Sequence, residues 1–128
     1  MKGVKHSKYT TSKWTRIPYG HFQDIEVPIL TSKAIETGHV HIYFQLINND
    51  FISLPLRYPD AKFTATIDAQ YKLRTVRLIW SNTEKVHNTP PLKAVIAVVI
   101  VPKEVQEEYS SINYRRYQEV RKAFRLRR

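Results

Sequence analysis

The stretch that most restricts what this chain can fold into is Leu92 to Val101, LKAVIAVVIV, apolar at both alternating sets of positions and interrupted only by Lys93. Successive side chains of a strand point to opposite faces, so a run apolar at both sets belongs to a strand with no wet face. The run is read as a buried central β-strand, and the segments around it as the strands that cover it.

Those segments alternate. From Asp24 to Leu30 the residues Ile25, Val27 and Ile29 share one face, and Pro28, which has no ladder donor, predicts an edge strand. From His39 to Ile47, Val40, Ile42, Phe44 and Leu46 alternate with His41, Tyr43 and Gln45, the period of a half-buried strand. Asn48-Asn49 predicts a tight turn into residues 50–56, where Pro55 marks an edge or a strand end. After the turn at Tyr58-Pro59-Asp60, Phe63, Ala65 and Ile67 alternate with Thr64 and Thr66. The strand Leu73 to Trp80 then aims Val76, Leu78 and Trp80 at the central strand. Ser81 to Pro91, with Pro90-Pro91, reads as an exposed loop.

Past Pro102 the period changes. Val105, Tyr109 and Ile112, then Tyr117, Val120 and Phe124, form helical stripes. Pro102 is expected at the first helical position, and Ser111 as the cap of a second helical piece. The fold class that follows is mainly β: one antiparallel β-sandwich or small barrel over residues 24–102. It carries an extended basic arm before it, 1–23, and a basic helical tail after it, 103–128.

Thr75-Val76-Arg77-Leu78-Ile79-Trp80-Ser81-Asn82, followed by Lys93-Ala94 and Ala97-Val98-Val99-Ile100-Val101-Pro102, resembles a strand pair in a poorly characterised Bacteroidetes family with a fibronectin- or immunoglobulin-like β-sandwich. The likeness covers about residues 75–102. It departs from the family in lacking glycines after Trp80 and in reaching Lys93 through Pro90-Pro91. What it implies is the sandwich fold, and no activity.

Charge is confined to the ends. Residues 1–23 carry Lys2, Lys5, Lys8, Lys13 and Arg16 with no acid. Residues 115–128 carry Arg115, Arg116, Arg121, Lys122, Arg125, Arg127 and Arg128 against Glu119 alone, and the formal net charge of the chain is +10. Such end blocks point to a polyanion or to an acidic protein neighbour. The candidate contact residues are Lys5, Lys8, Lys13, Arg16 and the seven C-terminal cations. Trp14 joins them as an aromatic anchor, with capping of the domain's own core as its competing role.

Catalytic signatures are missing. Three glycines in all write neither a P-loop nor a dinucleotide fingerprint, and no Gly-x-Ser-x-Gly elbow occurs. Cysteine is absent, which excludes disulfides and thiolate metal sites. His39 and His41 share a strand face, but a metal shell needs at least a third ligand, for which His21, Glu36 or His87 are the candidates. The sequence therefore implies no enzyme, no metal and no cofactor. Met1-Lys2-Gly3-Val4-Lys5 opens no signal peptide, and no apolar run is long enough to cross a membrane, so a soluble protein of a virion or the cytoplasm is expected.

Three functions fit. The first is a structural or assembly protein, a phage-like capsid-associated or connector subunit whose basic ends clasp neighbouring subunits or nucleic acid. The second is a nucleic-acid-binding module of low sequence specificity. The third is a carbohydrate- or protein-binding sandwich using loop 81–91.

Overall fold

The computed structural model describes residues 3–11, 13–18, 20–45, 50–59, 64–82 and 94–126. In chain order the elements are β1 (Lys5–Thr11), β2 (Thr15–Ile17), β3 (Gly20–Glu26), α1 (Ser32–Thr37), β4 (Gly38–Gln45), β5 (Phe51–Ser53), β6 (Leu56–Pro59), β7 (Thr64–Lys72), β8 (Thr75–Asn82), β9 (Ala94–Pro102), α2 (Lys103–Glu108) and α3 (Tyr117–Phe124). They build two open antiparallel sheets, ordered β1-β9-β4-β5 and β2-β3-β8-β7-β6. The result is a β-sandwich and not a closed barrel.

The central run accounts for the layering. β9 is paired on both sides, with β1 and β4, and its side chains divide between two cores. Ile96, Val98 and Ile100 face the second sheet and join Ile42, Phe44, Ile67, Val76, Leu78 and Trp80. Ala97, Val99 and Val101 face the other way, against Val105, Tyr117, Val120, Phe124 and Leu126. Each fully buried aliphatic side chain contributes about 1.5–3 kcal/mol relative to exposure, so both faces of β9 favour the fold. A third, helical layer follows from this. The C-terminal segment is not a tail hung on a sandwich, because it covers the outer face of the first sheet.

The N-terminal segment is extended, as its composition predicts, but it is woven into both sheets. β1 forms the edge beside β9, with Tyr9 opposite Ile96, while β2 forms the edge beside β3. Between them Trp14 turns inward and meets Trp80 edge-on, ring centroids 6.5 Å apart. Gly20 is a close approach, since a side chain there would overlap the Trp80 carbonyl oxygen.

Several expectations are corrected. The segment 24–30 is not an edge strand: β3 starts earlier, ends at Glu26 and is paired with both β2 and β8. Pro28 lies in the turn that follows, where Val27 and Leu30 are fully buried, because a residue without an N–H ends the ladder more readily than it edges it. The face of β4 carrying His41 and Tyr43 is not wet, since the third layer covers it and Tyr43 is fully buried. Pro102 closes β9 instead of opening the helix, and α3 begins after Arg116, not at Ser111. Pro55 does mark a strand end, separating β5 on one sheet edge from β6 on the other. The Asn48-Asn49 turn and most of loop 81–91 fall outside the described residues.

Candidate functional site

The cations of the C-terminal segment are positioned by the apolar stripe beneath them. Tyr117, Val120 and Phe124 sit on one side of α3 and are buried against the first sheet. Arg116, Lys122 and Arg125 are left exposed, with Arg121 half-buried at the boundary. The helix ends with Arg125 in the left-handed region at φ 53°, and the Leu126 N–H donates to the Arg121 carbonyl at 2.9 Å. This closure returns Leu126 to the core, the usual hydrophobic partner of such a helix end. The strand-like bridge between Ile52 and Arg116 fastens the other end of the helix to β5.

On this face the two ends of the chain meet. Lys8 shares a cross-strand row with Ala97 and Tyr43, and its ammonium lies 5.2 Å from the centroid of the Phe51 ring. Phe51 in turn packs on Tyr117, centroids 4.7 Å apart. Burial pushes the Tyr117 hydroxyl up, and the charge of Arg121 partly opposes that push. Arg115 lines a cleft with Ile52, Leu54 and Pro55. Arg116 reaches Glu119 at 3.8 Å and Arg121 donates to Gln118 at 3.2 Å. These are exposed contacts of small energetic weight, so Arg116 and Arg121 stay available to a partner.

Lys8, Arg115, Arg116 and Arg121 thus gather around β5 and the start of α3, while Lys122 and Arg125 stand exposed at the far end of the same helix. Other candidates lie elsewhere. Lys5 borders a cavity of about 300 Å³ with Lys33 and Glu104. Lys13 and Arg16 are exposed at and beside the edge strand β2. Trp14 is packed into the domain's own core. Arg127 and Arg128 lie outside the described residues. The third layer is polarised, because α2 presents Glu104 and Glu107 while the segment 115–125 presents cations.

Of the two histidines, His41 lies under the acidic half of that layer and His39 stays exposed. His41 Nε2 donates to Gln106 Oε1 at 2.8 Å, and its ring stacks on Tyr114 at 4.8 Å. Burial holds its pKa below the ordinary range, against the opposing pull of that hydrogen bond. The Tyr43 hydroxyl donates to the Tyr114 carbonyl, and burial raises its pKa. Among the described residues no three of His, Asp and Glu converge as a metal shell would require, and no helix is long and apolar enough to cross a membrane.

Sequence reasoning missed α1, Lys33 beside Lys5, and the β7–β8 turn. That turn exposes Tyr71 and Leu73 and holds Arg74 at φ 58°. A cation-flanked leucine at a strand start was the available signal. Comparison with family models, curated proteins and solved structures finds no match to this chain.

Proposed function

We propose that the protein is a non-enzymatic assembly subunit, a capsid-associated or connector component of a phage-like virion, which grips acidic neighbours or packaged nucleic acid through its basic surfaces. The observation that supports this reading is the gathering of Lys8, Arg115, Arg116 and Arg121 around β5 and the anchored helix α3, which also carries Lys122 and Arg125 at its exposed end. A tail would have to be ordered on contact, at about 1–2 kcal/mol per residue of backbone. The anchored helix meets that cost on folding.

Size-exclusion chromatography with light scattering, at low and high salt and with and without a short DNA, tests the reading. A discrete assembly whose mass ignores DNA supports the structural role. A monomer at every salt concentration that binds neither DNA nor an acidic peptide rejects it. A monomer shifted by DNA only at low salt supports the second reading, a nucleic-acid-binding module. That reading draws on the same cations, and its sequence specificity is low because cation–phosphate contacts position a nucleic acid without reading its bases.

A further inference from the structure

β1 is the edge of the first sheet, hydrogen-bonded to β9 on one side, and among the described residues no strand adds to the other. A seven-residue edge offers a row of main-chain donors and acceptors to any extended chain. This one is held from both faces: Tyr9 packs into the inter-sheet core and Val4, just before the strand, into the helical one. An edge fixed in this way accepts a strand with little further ordering.

Charge identifies the occupant. Residues 1–23 hold no acid, and β1 itself carries Lys5 and Lys8. Pairing β1 with β1 of a second copy would set one cationic strand against another, which disfavours the homodimer. An acidic strand is the complement. Cross-strand partners share a face, so the residue opposite Lys5 on an added strand falls on the side of Ile100, where the cavity between Lys5 and Lys33 opens. Glu104 also borders this cavity, leaving two ammonium groups against one carboxylate.

We propose that the outer edge of β1 receives an extended acidic segment of a neighbouring protein as a fifth strand of the sheet, with a carboxylate opposite Lys5 at the mouth of that cavity. The inference rests on the assembly reading above and names the chemistry of one partner.

The test titrates the isotopically labelled full-length protein with a capped peptide of about nine residues alternating Glu and Val. The same peptide, N-methylated at every second residue, is the control probe. Alternate amides within 5–11, those pointing away from β9, are expected to exchange at least about tenfold more slowly with the first peptide and unchanged with the second. Lys5→Glu is expected to weaken binding about tenfold, with Lys72→Glu, on β7, as the neutral control. Equal binding of both peptides, with perturbations confined to residues 115–125, overturns the edge assignment and leaves the assembly reading standing. So does an absence of peptide binding by a protein that still assembles or takes up DNA. Failure of peptide binding, DNA binding and assembly together overturns both.

Discussion

Val98 and Val99 are adjacent, both fully buried, and on opposite faces of β9. Truncating each to alanine asks whether the helical layer is part of the folded core. Val→Ala removes two methyl groups at about 0.8 kcal/mol each, and an incompletely collapsed cavity brings the loss to about 2 kcal/mol. For 128 residues unfolding entropy is about 0.27 kcal/mol/K, so either change is expected to lower the melting temperature by about 7 °C. Val99 lies between His6 and His41 in its row, and what removes it from water is the packing of Val105, Val120 and Phe124 above it. Urea titration of both variants supplies the free energies, with equal slopes showing that the unfolded reference is unchanged. If Val98→Ala costs about 2 kcal/mol and Val99→Ala less than about 0.5 kcal/mol, the face carrying Val99 is a solvent face. The three-layer reasoning then fails.

The other predictions address single side chains. Tyr43→Phe removes the donor to the Tyr114 carbonyl and is expected to destabilise by about 1–2 kcal/mol, whereas Tyr117→Phe, which removes a buried hydroxyl with no protein partner, is expected to be neutral or stabilising in the same denaturation assay. His41 is held below its ordinary value near 6.5, so the unfolded chain binds its proton first. Stability is therefore expected to be full above that value and to fall as pH drops through it toward the lowered folded value, with the dependence reduced in His41→Gln. Gly20→Ala is expected to lower the melting temperature by several degrees, because its new methyl overlaps the Trp80 carbonyl oxygen. On the nucleic-acid reading, Arg121→Glu with Lys122→Glu is expected to reduce the slope of log affinity for DNA against log salt by about 0.7–0.9 for each phosphate no longer neutralised, read from a salt titration.

The parts of this fold written in short-range pattern were legible. The doubly apolar run 94–101 announced a strand buried on both faces, and Val76, Leu78 and Trp80 announced its neighbour in the opposite sheet. Of the two helical stripes read after Pro102, Tyr117, Val120 and Phe124 do lie on one helix, whereas α2 ends at Glu108, short of Tyr109 and Ile112; all six side chains nevertheless pack in or against the second core. What covers the second face of β9 was not legible. Period counting identifies an apolar stripe without naming its target, and the cations between Tyr117 and Phe124 made the segment look like a solvated tail. β4 misled for a related reason: His41 and Tyr43 are polar enough to look wet, and only the distant Gln106 and Tyr114 give them buried partners. Lys8 was selected for its charge alone; its neighbour Phe51, on which Tyr117 packs, is placed there by sheet order, which local pattern does not encode.

Anchoring gives the basic face a property that a free tail would lack. The apolar side of α3 fixes where Arg121, Lys122 and Arg125 stand relative to Lys8 on another strand, so the spacing between cations is set by the core and not by the partner. A flexible polycation adapts its spacing to any polyanion and gains affinity with each added charge. A fixed array favours partners whose negative charges match it, which makes electrostatic complementarity a source of selectivity more than of raw strength. On the proposed reading, loosening the layer from beneath, by shortening Val120, is expected to weaken discrimination among polyanions before it weakens binding itself. If such loosening instead lowered affinity for every polyanion in equal proportion, the array would be acting as bulk charge, and its geometry would play no part in recognition.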